Sequence, residues 1–401
     1  MAENKDKKVL NVPNLRFPEF EGEWEEHGLS EFLDFKNGLN PKPEKFGKGI
    51  KFISVMDILN NTIITYDSIK ACVDANNKEI DNYSVKMGDL LFQRSSETLE
   101  DVGRANVYMD EKPAIFGGFV IRGKKKGEYN PLFFKNLLET PFSRRKIIPM
   151  GAGAQHFNIG QEGLSKVKLY FAPINEQNKI AKILSLLDDR ISTQNKIIDK
   201  LQSLIKGISN RLLYADNSMS IRIEEMLIER SERTKKNNQY EILSSTVNGI
   251  FSQRDYFSKD IASDNNVGYK IVHLHDIVLS PQNLWMGNIN FNDKFDIGIV
   301  SPSYKVFSIA DGFDKKYVAA LLKTHHALYN YMLVSEQGAS TVRRNLNYEA
   351  FEQLVFKIPS LNKQQEIGHV ISLLKSQLEN ANLLIKTYNS QKQFMIRQMF
   401  I

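Results

Sequence analysis

The 401-residue sequence holds one cysteine, Cys72. A single thiol excludes an internal disulfide and a cysteine-rich zinc site, fits a reducing cytoplasm, and reads as a small buried or half-buried hydrophobe. No apolar run is long enough to span a bilayer, and none follows a signal-peptide pattern. Pro-Pro and Pro-Asp dipeptides are absent. That removes the Asp/Asn-Pro-Pro-aromatic motif of an adenine methyltransferase and the Pro-Asp core of the commonest nuclease motif. The stretch from Gly118 to Lys125 imitates a phosphate-binding loop. However, Lys125 stands where a hydroxyl would hold magnesium, and the glycines flank a strand. His273 with His275, and His325 with His326, lack nearby cysteines or a suitable third ligand. The sequence therefore offers no catalytic set and no metal site.

What is present is ordinary globular composition, 42% hydrophobic and 25% charged, at a length that calls for two or three domains. The formal charge of +6 permits nucleic-acid binding without establishing it. Basic runs such as Lys124-Lys125-Lys126, Arg144-Arg145-Lys146, Lys235-Lys236, Lys315-Lys316 and Arg343-Arg344 occur in both halves. Each taken singly also fits a solvated turn.

The two halves repeat each other. An offset of 187 carries Asn175, Gln177 and Ile180 onto Asn362, Gln364 and Ile367, and Gly151-Ala152 onto Gly338-Ala339. It carries Gly88-Asp89-Leu90-Leu91 onto His275-Asp276-Ile277-Val278. With a small gap, Leu137-Leu138 before Thr140 matches Leu321-Leu322 before Thr324, and Leu29 to Leu33 loosely matches Ile223 to Leu227. So long a period is a duplicated domain, not a solenoid. The expected order is an N-terminal segment (1–19), a first module (20–172), a long helix (173–215), a second module (216–358) and a second long helix (359–401). The first eight residues are polar and expected to fray.

Residues 176 to 213 contain no proline, and spacings of four and three pick out one apolar seam. It runs Ile180, Leu184, Leu187, Ile191, Gln194, Ile198, Leu201, Ile205, Ile208 and Leu212. The second copy runs Ile367, Ile371, Leu374, Leu378, Ala381, Ile385, Tyr388, Lys392, Met395 and Met399. This is the heptad pattern of a coiled coil. Asn175 and Asn362 suit N-caps. Two stripes, each on a rod of roughly 57 Å, are expected to bury each other in an antiparallel pair; two core helices of separate domains are the alternative. The fold class expected is α+β: two similar mixed α/β modules separated by two long paired helices.

Each module reads as strands with helices near 131–148 and 314–333. Each also has two loops of small residues mixed with Arg, Gln, Asn and His, side chains that make directional hydrogen bonds to base edges. Candidate base readers are Arg94, Arg104, Gln155, His156 and Asn158 in the first module. In the second they are Gln282, Asn283, Asn288, Arg343 and Arg344. Candidate phosphate contacts are Lys124, Arg144, Arg145, Lys235 and Lys315. Ordinary turns explain any single one of these equally well. Trp285 stays open between stacking on a nucleotide and a half-buried structural role.

The segment Val12-Pro13-Asn14-Leu15-Arg16-Phe17-Pro18, Trp24, Gly88-Asp89 before a strand, and Pro173-Ile174-Asn175-Glu176-Gln177 before the first helix resemble one family. So does Ile299-Val300-Ser301-Pro302-Ser303-Tyr304. That family is the specificity subunit of type I restriction–modification systems. Two departures lie in the second half, where Lys363 replaces the usual Glu and His275 the usual Gly.

The resemblance implies a non-catalytic subunit that reads a bipartite, asymmetric site in double-stranded DNA. It implies that the helices set the spacing and dock two methyltransferase subunits. Restriction subunits, translocating nucleases, join in a larger complex. S-adenosylmethionine, ATP and Mg would sit on those partners, with no cofactor in this chain. A rigid spacer would place the half-sites roughly one DNA turn apart. The alternatives are a stand-alone DNA-binding or scaffold protein without a methyltransferase partner, and an enzyme with an unrecognised site.

Overall fold

The computed structural model describes residues 11–212, 219–256, 265–337 and 344–401. The polar first residues and Arg343 lie outside them. Two compact units are present: the chain up to Asn195 together with Leu384–Ile401, and Lys196–Leu383. Each unit takes one module and half of each long helix.

The first unit is built on an antiparallel sheet in the order Leu33–Asn37, Val120–Lys125, Leu90–Gln93, Ala105–Val107. Leu90 to Gln93 are all buried, as the central position of that strand demands. A second sheet runs Cys72–Val73, Phe46–Ile53, Ala114–Phe116, Ser84–Val85. The expected helix over 131–148 is two helices, Pro131–Glu139 and Pro141–Ile147. Pro141 cannot donate the hydrogen bond that would continue the first. Thr140 restarts the second: its Oγ1 accepts from Ser143 N and donates to Leu137 O. These helices bury Phe133, Phe134, Leu137 and Leu138, each contributing about 1.5–3 kcal/mol.

The second unit repeats the frame. Its sheet runs Leu227–Glu229, Lys305–Ile309, Ile277–Leu279, Ile289–Phe291, again antiparallel. Its helix near 314–333 is likewise split into Lys315–Leu321 and His325–Leu333. Thr324 makes the same pair of bonds, to Ala327 N and Leu321 O. The outer strands depart from the first unit: they form a hairpin, Leu243–Thr246 with Gly249–Ser252, and a second antiparallel pair, Lys270–His273 with Ile297–Val300, bridged to it between Ile242 and Ile299. In both units a short edge pair closes the module against its long helix. These pairs are Glu25–Gly28 with Lys168–Phe171 and Met219–Arg222 with Val355–Ile358.

The long helices span Ile174–Leu212 and Leu361–Gln398. Asn175 and Asn362 therefore lie inside the helices and do not cap them. Pro173 O takes the first helical bonds, from Glu176 N and Gln177 N, and Ser360 O accepts from Gln364 N. The seam packs as an antiparallel pair in each unit. In the first, Ile180 and Leu184 share a core with Ile396 and Met399, while Asp188 meets Lys392 at 2.6 Å. In the second, Ile208 packs against the core that holds Ile367 and Ile371, and Ile205 faces the cavity shared with Leu378. Leu187 and Ile198 are buried, and Ile191, Leu201, Leu374 and Ile385 are half-buried. Lys392, the one polar residue in the second seam, thus carries an ion pair that favours this register.

Candidate nucleic-acid interface

Three nodes of side-chain hydrogen bonding position the loops. Gln177, buried at the start of the first long helix, accepts from Asn130 N at 2.9 Å and donates to Ala172 O at 2.8 Å. Gln364 repeats this with Asp314 N and Pro359 O. Buried Asp89 accepts from Lys86 N and Lys125 N, and buried Asp276 from His273 N and Arg230 Nε. Burial pushes both carboxyls above the usual aspartate range, against the pull of those donors. Both follow a left-handed residue, Gly88 at φ +89° and His275 at φ +73°. The replacement of Gly by His therefore keeps the turn, with His275 stacked on Phe291 at 5.6 Å.

Among the described residues the third node belongs to the first unit alone. Glu176, fully buried, takes Arg16 Nε at 2.8 Å, Arg16 Nη2 at 2.7 Å and Trp24 Nε1 at 3.3 Å. Residues that the sequence offers as separate pieces of a motif are thus one contact. In the second unit Lys363 is exposed and pairs with Glu366.

From this frame sequence-distant loop segments converge in each module. In the first, Ser95–Ser96 pairs with Phe157–Asn158, Ile159 N donates to Arg94 O at 2.9 Å, and Arg94 Nη1 donates to Gly118 O. Ala152 and Asn158 exchange both backbone bonds, closing a hairpin whose tip exposes Gln155 and His156. Arg94, Gln155, His156 and Asn158 thereby meet at one end of the main sheet. Phe119 joins them: its carbonyl accepts from Arg94 N and its ring is 68% exposed. Sequence reasoning placed Phe119 in a strand; the signal available was Gly117-Gly118 just before it, a turn.

In the second module Arg344 N donates to Gln282 O at 3.1 Å, and the Arg344 guanidinium lies 4.4 Å from the centre of the Trp285 ring. Gln282 is exposed and Asn283 half-buried beside it.

Several candidates sit elsewhere. Asn288 is buried, its amide tied to Ser245 Oγ at 2.8 Å and Ser245 O at 3.0 Å. It holds two strands together and presents nothing to a base. Arg104 pairs with Asp101 at 2.5 Å and shares a cavity of about 300 Å³ with Arg144, Glu100 and Glu139. Arg144 donates to Glu100 O and Val102 O, and burial pushes its guanidinium down to about 10, neighbouring Arg104 adding to the effect. It staples the loop between Thr98 and Arg104, which leaves it poorly placed for phosphate. Lys124 is exposed but lies toward the far end of the strand that follows Phe119, about 16 Å away at the rise of an extended chain. Arg145, Lys235 and Lys315 are exposed.

No helix among the described residues is long and apolar enough to cross a membrane. Residues 21–203 match the model of the type I restriction modification DNA specificity domain. The putative type I restriction enzyme MjaX specificity subunit of Methanocaldococcus jannaschii is 27% identical over 210 residues, 51% of this chain and 49% of that protein. The MjaVIII specificity subunit of the same organism is 25% identical over 214 residues, 52% of this chain and 45% of its own length. The matched stretch thus spans about half the length of these relatives. The crystal structure of the type I restriction–modification system S subunit from M. genitalium superposes with a TM-score of 0.63 at 13% identity, covering 97% of this chain and 99% of that one. That likeness is one of fold. The first module and most of its long helix thus belong to the type I restriction modification DNA specificity domain family.

Proposed function

We propose that this chain reads a bipartite, asymmetric site in double-stranded DNA, each module reading one half, and that it performs no chemistry itself. The observation that carries this reading is the convergence, in each module, of sequence-distant segments into one polar edge at the end of the same sheet, Arg94 with Phe157–Ile159 in the first and Gln282 with Arg344 in the second. The frame beneath is shared and the edge residues differ, as two readers of different half-sites require. Arg94, Gln155, His156 and Asn158 would read bases in one half, and Gln282, Asn283 and Arg344 in the other. Arg145, Lys235 and Lys315 would neutralise phosphates.

The partners in this proposal are two adenine methyltransferase subunits carrying S-adenosylmethionine. Restriction subunits using ATP and Mg would join in the larger complex. Away from the seam the first long helix exposes Ile197 (42%) and Leu204 (49%), one heptad apart, an apolar surface suited to such a subunit. The chain is to be co-expressed with a type I methyltransferase subunit and methylated adenines mapped across a genome. A two-part motif that loses its first half in Arg94→Ala is the expected result. Sequence-specific DNA binding with no co-purifying methyltransferase would instead favour a stand-alone DNA-binding protein. Ile197→Asp combined with Leu204→Asp should abolish co-purification and leave DNA binding intact.

A further inference from the structure

The two modules hold their loop arginines differently. Arg94 is tied to the main chain through Gly118 O. Arg344 instead lies over the indole of Trp285. No hydrogen bond of its guanidinium is present among the described residues, and its Nε is buried without an acceptor. Stacking uses only the flat face of a guanidinium, so the N–H donors stay in the plane, pointing away from the ring. Both partners are anchored. Trp285 sits in a single 3-10 turn, Leu284–Met286, whose Leu284 is buried and which ends at Gly287 with φ +90°. Lys323 Nζ fixes that end by donating to Gly287 O at 2.7 Å. Arg344 opens a strand paired with Ser335–Gln337 and is bonded through its N–H to Gln282 O.

We infer that Trp285 is the positioning residue of the second reading edge: its indole face orients Arg344, which reads the O6/N7 edge of a guanine in the major groove. The inference rests on the reading that this edge meets DNA. A long arginine side chain loses rotamer freedom when it binds, and a ring that pre-sets its plane removes part of that loss before DNA arrives. Planar, bidentate donation is the geometry guanine presents to arginine. The indole face that holds Arg344 is therefore not offered to a nucleotide.

The test is selection of bound duplexes from a randomised pool by the full chain, comparing wild type with Trp285→Leu, Trp285→Phe, Arg344→Ala and the Trp285→Leu/Arg344→Ala double variant. Circular dichroism and a cooperative melt confirm that each variant is folded. Wild type should prefer guanine at one position by roughly 5- to 160-fold. Arg344→Ala and Trp285→Leu should both lose most of that preference at that same position. Trp285→Phe, which keeps an aromatic face, should retain it, and the double variant should be no worse than Arg344→Ala. A Trp285→Leu protein that keeps its guanine preference, or a Trp285→Phe protein as impaired as Trp285→Leu, overturns the positioning role. Arg344→Ala that weakens all sequences alike overturns base reading but leaves the DNA contact standing. A wild-type chain with no sequence preference, or variants with no effect on any duplex, sinks the underlying reading instead.

Discussion

Removing the Arg16 side chain should be among the most damaging single changes in the first unit. Glu176 is fully buried and Arg16 is 14% exposed, joined by two parallel N–H bonds of 2.8 and 2.7 Å. Arg16→Ala leaves that carboxylate with Trp24 Nε1 alone, at 3.3 Å. Breaking a buried pair from one side costs about 3–5 kcal/mol, because the stranded charge keeps its desolvation penalty. Replacing both partners with apolar groups, Arg16→Met with Glu176→Leu, removes both charges and strands only the Trp24 indole N–H, so it should cost about 1–3 kcal/mol, less than the single change. The second unit supplies the control, since Lys363 at the matching position is exposed. Lys363→Ala should change stability by under about 0.5 kcal/mol. The chain has two tryptophans, one in each unit. In a Trp285→Phe background, Trp24 fluorescence therefore follows urea unfolding of the first unit alone. A single Arg16→Ala loss below about 1 kcal/mol, or a double variant worse than the single, would refute the argument.

Three further outcomes follow from the same geometry. His275→Gly should stabilise the second unit by about 0.5–1 kcal/mol in chemical denaturation, because φ +73° strains a residue with a Cβ; a loss would mean that the Phe291 stack outweighs the strain. Lys392→Ala should cost about 1–3 kcal/mol by stranding half-buried Asp188, with Lys392→Ala/Asp188→Ala costing less than the two singles summed; additivity in the double-mutant cycle would deny the pair any coupling. Burial beside Lys375 holds the Lys323 ammonium down to about 8, below its ordinary value of 10.5. The unfolded state then binds more protons between those values, so this group makes the second unit gain stability as pH rises from about 8 to 10.5. Lys323→Met should flatten that rise in pH-dependent melting, and an unchanged slope would place its cause elsewhere.

The long helices were readable because a seam sustained over many heptads leaves no other way to hide its apolar residues, and every described seam position is buried or half-buried. The duplication was readable for a related reason. The matched positions, Gln177 and Gln364 at the shared offset and Thr140 and Thr324 across a small gap, are side chains that satisfy backbone groups, and these bonds admit few other residues. The site was less legible. Asn288 and Asn283 look alike in sequence, yet one braces Ser245 inside the module and the other lies at the loop. Arg144 looks like a phosphate contact until the carbonyls of Glu100 and Val102 are seen to occupy it. Only tertiary placement separates a polar side chain that satisfies its own protein from one left for a ligand. Phe119 was missed from the opposite side, as an aromatic residue read into a strand that proves to be 68% exposed.

The contrast between frame and edge has a physical cause. Asp89 and Asp276 each gather donors at a left-handed turn, and losing either leaves buried N–H groups without acceptors at about 1–3 kcal/mol apiece. The frame is thereby held to nearly one solution in both copies. The edge carries no such penalty. Gln155, His156 and Gln282 are exposed, and what holds their loops is backbone pairing, which is indifferent to side-chain identity. Arg94 can be tied by a carbonyl and Arg344 by an indole without disturbing the sheet beneath either. A scaffold that confines its strict requirements to backbone donors and leaves its tips free can be copied once and then given two different readings.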